Sequence, residues 1–337
     1  MTVRRNISGL VLLSLSILLL ALTPGSAQAA VTCEASMTDL NFGAVDPLSG
    51  DTAATATLNW SCTNDSPVFG ANIRICFSIG AGSNGSGQTR PRQISGSNSP
   101  LQFQLYKDAS GSQAWGSVHA SATTQPLEEA FSLPVAWFWN PRPKSGSATL
   151  YGKIPGNQPG VAAGNYHSLF SGAEAMISFN YTETIFGTGF PSSSCGSENN
   201  GSFPFTVRAT VQKACTVRAD DLDFGNAGLL DSMTHDAATT VTVNCINGTA
   251  YDIGLDNGLH ALGTTRRMHG GQNEYIEYEL YLDPGRNQRW GNNIGVDTEH
   301  GVGTGNDQHT SIYGRVPLQT TPSAGTYSDT ITVSVTY

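Results

Sequence analysis

Charge is scarce in this sequence, and so are the residue groupings that most catalytic and metal chemistry draws on. Only 13% of the 337 residues are Asp, Glu, Lys or Arg, and the acidic ones outnumber the basic ones 26 to 17. Lys and Arg form no cluster longer than an adjacent pair, which argues against a nucleic-acid or anionic-membrane partner. No Cys-x-x-Cys pair occurs and the seven histidines lack metal-ligand spacing, so zinc is a weak reading of the cysteines. No Ser/His/Asp grouping matches a hydrolase pattern. Gly80–Gly87 is glycine-rich but lacks the lysine and helix of a phosphate loop, and reads as a flexible turn. Glu128 and Glu129 are adjacent, so in extended chain they point apart; a solvated loop is the expectation there. No catalytic site, metal or cofactor is expected.

Long apolar runs are missing too, beyond the first thirty residues. The one run, Leu10–Leu22, follows Arg4 and Arg5 and precedes Ala27-Gln28-Ala29. It is too short for a membrane span and has the flanks of a secretory leader, expected over residues 1–29. Losing Arg4 and Arg5 with it takes the formal charge from −9 to −11. An exported chain meets an oxidising compartment, where the six cysteines (Cys33, Cys62, Cys76, Cys195, Cys215 and Cys245) read as disulfides.

What is present is a repeat. Cys33-Glu-Ala-Ser-Met-Thr-Asp-Leu-Asn-Phe-Gly43 recurs as Cys215-Thr-Val-Arg-Ala-Asp-Asp-Leu-Asp-Phe-Gly225. Each copy then reaches a second cysteine at the end of an alternating strand, Cys62 and Cys245. Phe103-Gln-Leu-Tyr with Trp115 matches Tyr278-Glu-Leu-Tyr with Trp290. Leu150-Tyr-Gly-Lys-Ile-Pro155 matches Ile312-Tyr-Gly-Arg-Val-Pro317, and Ala163-Gly-Asn-Tyr166 matches Ala324-Gly-Thr-Tyr327. Equivalent cysteines pair most simply as Cys33–Cys62 and Cys215–Cys245. Cys76 and Cys195 have no counterparts, and by elimination pair with each other.

Within each copy the segments are short, β-branched or aromatic, and separated by Gly, Pro, Ser and Asn, the pattern of an all-β sandwich. Two tandem domains are expected, over 30–212 and 213–337. Their ends differ. In the first copy Ser202–Gln212 alternates Phe203, Phe205, Val207, Ala209 and Val211 with mostly polar residues, and is expected to close that domain's sheet in cis. In the second, Ile331, Val333, Val335 and Tyr337 alternate with polar residues up to the last residue, so an open sheet edge is expected there.

The Cys…Leu-x-Phe-Gly…Cys pattern, the Tyr-Gly-x-x-Pro element and Ala324-Gly-x-Tyr-Ser-Asp-Thr-Ile-Thr-Val-Ser-Val-Thr-Tyr337 resemble the spore coat protein U domain. That family supplies secreted subunits of archaic, Csu-type chaperone–usher pili. The resemblance implies immunoglobulin-like Greek-key sandwiches in tandem, the second lacking its final strand. It also implies partners: a periplasmic pilus chaperone, an outer-membrane usher, and an adjacent pilin that donates an N-terminal strand. With a donor-like segment only between the domains, the implied role is the two-domain tip adhesin at the cell surface, acting in attachment and biofilm formation. A spore-coat or stalk subunit is the alternative within this class.

Adhesion is expected at apolar loops of the first domain. Leu133–Pro141 holds Val135, Trp137, Phe138 and Trp139, although Val135, Trp137 and Trp139 alternate and also suit the inward face of a strand. Ile185–Pro191 holds Ile185, Phe186 and Phe190, with glycines that disfavour a strand. Pro67–Gly70 adds Phe69. The resemblance implies an abiotic, often hydrophobic surface, with a host surface as the other candidate; the same aromatics would also suit a lectin-like carbohydrate binder. Asn84, Asn200 and Asn247 begin glycosylation sequons of a kind frequent by chance in Asn/Ser-rich chains.

Overall fold

The computed structural model describes residues 31–83, 92–94, 99–118, 125–137, 140–184, 189–191, 195 and 198–337. The expected leader, and Phe138, Trp139, Ile185 and Phe186, lie outside the described residues. Among the described residues no helix is long and apolar enough to cross a membrane.

The chain is all-β, with two hydrophobic cores, one built almost wholly from the first copy of the repeat and one from the second. In the first copy, β1 (Val31–Met37), β3 (Thr52–Asn64), β8 (Lys144–Ile154), β6 (Leu101–Tyr106) and β5 (Arg92–Ile94) form one sheet in that order. A second sheet runs β11 (Glu198–Ser202), β10 (Ala175–Thr184), β4 (Gly70–Ile79), β7 (Leu127–Leu133). The sheets meet through Trp60 of β3, whose ring stacks on Phe131 of β7 at 4.8 Å between centroids. Glu128 and Glu129 therefore stand on a strand, not in a loop. Their side chains face solvent, and Glu128 pairs with Arg74 across the ladder at 3.1 Å.

A third sheet consists of β2 (Leu40–Val45), β12 (Phe205–Val211) and β9 (Gly164–Phe170). β12 lies between the others, parallel to β2 and antiparallel to β9. Phe205, Val207, Ala209 and Val211 point into the core, and Phe205 stacks on Phe170 at 4.7 Å. The expected strand from 202 to 212 is thus shorter, Phe205–Val211, with Ser202 ending the preceding β11 (Glu198–Ser202). Pro204 has no N–H to give a ladder, and the chain bends at Phe203-Pro204, where the Phe203 N–H reaches the Ala175 carbonyl (3.1 Å). β11 pairs with β10 before the bend and β12 with β9 after it, so one long antiparallel hairpin serves two sheets.

The second copy repeats the first sheet as β13 (Cys215–Ala219), β14 (His235–Cys245), β19 (Gln308–Val316), β17 (Tyr275–Tyr281) and β16 (Arg266–His269). Opposite lie β18 (Glu299–Val302), β15 (Ala250–Leu255) and β20 (Val333–Thr336). The expected terminal strand is shorter than its sequence pattern: Ile331 and Tyr337 fall outside it. Cys33 faces Cys62 and Cys215 faces Cys245 on adjacent strands, both with Cα atoms 4.1 Å apart, and Cys76 joins Cys195. These are the pairs the repeat predicts.

The repeated motifs pack on one another. A Cβ on Gly152 would strike Leu40 and Phe42, and one on Gly314 would strike Leu222 and Phe224. The Gly of Tyr-Gly-x-x-Pro is therefore the floor on which the Leu-x-Phe pair rests. The turn after each pair needs φ > 0, at Gly43 (69°) and Gly225 (73°), and is closed by the Asn41 or Asp223 side chain accepting the glycine N–H.

The copies also share a buried arginine. Arg92 donates to the carbonyls of Gly80 (2.8 Å) and Trp115 (2.6 Å), and Arg266 to those of Leu255 (2.9 Å) and Trp290 (2.8 Å). The junction between the copies is packed rather than loose. Ile246, 1% exposed, belongs to the first core, and the Asn247 amide donates to the Gly160 carbonyl at 2.8 Å.

Candidate functional site

Leu40 and Phe42 of β2 are 0% and 7% exposed because β12 covers them. Their counterparts Leu222 and Phe224 are only half-buried. Residues 221–229 and 324–331, which match the two neighbours of β12, form no strand beyond an isolated bridge, and among the described residues nothing lies between them. The result is a continuous groove, formed by two adjoining hollows of about 500 and 640 Å³ that share Leu222, Phe224, Met268 and Tyr327. Its floor includes Tyr278 and Leu280, and its far end Ile331 and Val333. The edge residues singled out from sequence divide here. Ile331 and Val333 line the groove, Val335 packs half-buried on the second core, and Tyr337 is exposed.

Side-chain and backbone hydrogen bonds together hold the wall at 327–331. The Asp329 carboxylate, 2% exposed, accepts hydrogen bonds from the Tyr278 hydroxyl (2.8 Å) and the His260 amide (3.2 Å), and pairs with His260 Nδ1 (3.0 Å). Burial, reinforced by the bond to Asp329, pushes the Tyr278 phenol well above its ordinary range. Ser328 exchanges backbone hydrogen bonds with His269, and the Tyr327 hydroxyl donates to Glu274 (3.0 Å). The Tyr327 and Ser323 hydrogen bonds, with the Ser323 amide foremost, hold the Glu274 carboxyl below its usual value. A preformed trough between two non-strand walls, with Leu222, Phe224, Tyr278 and Leu280 among its lining, suits the docking of an extended strand.

The second candidate site is the end of the first domain remote from the junction. The ladders align Gly70 with Thr184, Ala71 with Leu133 and Cys62 with Lys144, so the loops after β3, β7 and β10 leave the sandwich together. Residues 155–163, which touch the second domain, follow the other end of β8, about 35 Å away at strand spacing. Within the loop after β7, Ala136 is buried and Trp137 is 71% exposed. Residues 134–137 form no strand: the Ala136 N–H is taken by the Ser66 carbonyl, and Pro134 follows the end of β7. Phe190 is 48% exposed, and Thr182 holds its loop through the Gly189 carbonyl (2.9 Å). Val135 is half-buried. Phe69 is half-buried against the core, while its neighbour Val68, not singled out from sequence, is 53% exposed. In a turn capped by Ser66 Oγ, the neighbour of a residue that anchors the turn faces outward.

Two other features carry no chemistry. Cys76, Glu128 and Cys195 bring ligand atoms within 4.8 Å of one another, but the two sulfurs are bonded together and supply no thiolate. The Asn247 sequon amide is engaged at the domain junction.

The Spore Coat Protein U domain model matches residues 19–171 and 202–334. Protein U of Myxococcus xanthus is 32% identical over 105 residues, covering 29% of this chain and 58% of that protein. The chain thus spans little over half the length of that relative. Among solved structures, a chain of the CsuC–CsuE chaperone–tip adhesion subunit pre-assembly complex from the archaic Csu pili of Acinetobacter baumannii is 17% identical. It superposes with a TM-score of 0.51, over 91% of this chain and 100% of that one, a likeness of fold. With the family pattern matched twice over most of its length, the chain belongs to the Spore Coat Protein U domain family.

Proposed function

We propose that this protein is the tip adhesin subunit of a chaperone–usher pilus. Its second domain receives a donor strand and its first domain touches the surface. The observation that carries the reading is the contrast between the two copies: β12 fills the slot between β2 and β9 in the first, and the matching slot in the second is an open groove with Leu222, Phe224, Leu280 and Ile331 in its lining. A periplasmic chaperone would occupy that groove first, and a neighbouring pilin's extension after passage through the outer-membrane usher. The exported tip would then attach through Trp137, Phe190 and their neighbours, seeding biofilm on apolar surfaces. The protein acts by binding and not by catalysis.

Replacing Ile331 and Val333 with Asp should abolish chaperone co-purification from the periplasm, and undiminished complex would refute donor-strand docking. Replacing Trp137 and Phe190 with Ser should leave pili assembled while attachment to polystyrene falls. If soluble sugars, rather than these substitutions, block attachment, the lectin-like reading is the right one.

A further inference from the structure

We infer that the strand received by the second domain carries a basic side chain recognised by Asp221. The inference rests on the groove reading above and specifies the occupant: another polypeptide's β-strand with Arg or Lys at one defined position.

The first copy shows how such a strand is held. β2 begins at Leu40, so the Thr206 N–H of β12 has no backbone partner on that side; the Asp39 carboxylate accepts it through Oδ1 at 2.8 Å. The other oxygen of Asp39 pairs with Arg208 at 3.4 Å. One carboxylate thus caps the strand's leading amide and reads the charge two residues on. In register, Val207 faces Leu40 and Arg208 faces Asn41, while Ala209 faces Tyr166 on the other wall.

The Asp, Leu, Phe and Tyr around that strand recur at the open groove, with Asp223 in place of Asn41. Asp39-Leu-Asn-Phe is repeated as Asp221-Leu-Asp-Phe, and Tyr166 as Tyr327. Asp223 repeats the turn-closing bond of Asn41. What differs is the state of the aspartate: Asp39 has its two partners, whereas Asp221 is exposed and, among the described residues, has neither hydrogen bond nor ion pair. Asp220 stands beside it where the first copy has Thr38, which deepens the negative potential on this lip. The duplicated geometry fixes the partner's pattern: apolar residues at alternate positions, the one facing Leu222 followed directly by Arg or Lys, and then a small residue against Tyr327. It runs parallel to 221–227 and antiparallel to 325–331.

The test uses the mature full chain and a synthetic peptide of residues 202–212, Ser-Phe-Pro-Phe-Thr-Val-Arg-Ala-Thr-Val-Gln, with variants bearing Gln or Glu in place of its Arg. The Arg peptide should bind about two- to fivefold more tightly than the Gln peptide, the scale of an exposed ion pair, the margin shrinking as salt rises. Asp221→Asn should erase the margin, and Asp221→Lys should invert the order of the Arg and Glu peptides. Asp221 is exposed, so these variants keep the core intact. If all peptides bind equally, the groove reading stands and the recognition by Asp221 is refuted. If a folded chain binds none of them, both fall.

Discussion

The buried carboxamide of Asn64 donates to the Pro134 carbonyl at 3.0 Å and to the Phe69 carbonyl at 2.7 Å, tying the loop after β3 to the loop that carries Trp137. These two bonds cross from one sheet's end to the other's, and Asn64 is 1% exposed. Asn64→Ala should strip two part-buried acceptors of their partner and lower stability by about 1–2 kcal/mol, read from the urea midpoint. It should also weaken attachment while leaving strand binding by the second domain unchanged.

Gly152 and Gly314 meet the same two side chains, but in different settings. Leu40 and Phe42 are clamped beneath β12, whereas Leu222 and Phe224 have an open groove to move into. Gly152→Ala should cost about 1–3 kcal/mol from overpacking, and Gly314→Ala clearly less in the unfilled protein. Filling the groove should bring the second cost up to the first. Equal costs in the empty state would mean that Leu222 and Phe224 are already fixed.

The two buried arginines differ in their counterion. Glu279 neutralises Arg266 and reaches Arg289 at 2.8 Å, while Arg92 has only Gln104 at the matching place. Burial pushes the Arg92 guanidinium below its ordinary range, with Glu174 opposing. Gln104→Glu should therefore stabilise the first domain by about 1–2 kcal/mol, the scale of a hydrogen bond to a charged group. Glu279→Gln should destabilise the second by a similar or larger amount. Calorimetric transitions of the two variants check both signs.

Acid should act on the second domain through Asp236. Its hydrogen bonds from Arg315 (2.7 and 2.8 Å), with Arg286 nearby at 3.2 Å, hold the carboxyl below its ordinary value. A depressed folded-state value means the unfolded chain binds the proton first. The contribution is complete above the ordinary carboxylate range and is lost as pH falls through the folded-state value. At about a third exposed, the pair is worth no more than about 1 kcal/mol. Asp236→Asn should lose that amount at pH 7 and progressively less as pH falls below the ordinary carboxylate range, as followed by thermal unfolding.

The all-β class and the disulfide pairs were legible because repeated residues state them twice. Cys33 and Cys215 open matching strands, and Cys76 and Cys195 remained after subtraction. The cis-closing strand was legible as an alternation, but its break was not: Pro204 sits within a regular pattern, and only the bend of the neighbouring hairpin gives it meaning. Ile331 has the alternation of a strand residue, yet a strand is a relation between neighbours, and its neighbour position is empty. Phe69 and Val68 show the limit at the loops. Composition marks an apolar turn, but which side chain faces outward depends on the Ser66 cap and on Asn64, contacts made across the fold. Asp221 was invisible from sequence because its role is apparent only once Asp39 is seen holding β12.

The continuity of β12 with β13 has a mechanical consequence. Only Gln212, Lys213 and Ala214 separate the strand that closes the first domain from the strand that opens the second. A pull on the second domain would thus run along the axis of β12, with hydrogen bonds to β2 on one side and β9 on the other. Those bonds would be loaded together in shear and not unzipped one at a time. The segment that completes the first fold is also its tether, so tension between the domains would be borne by the full length of a central strand.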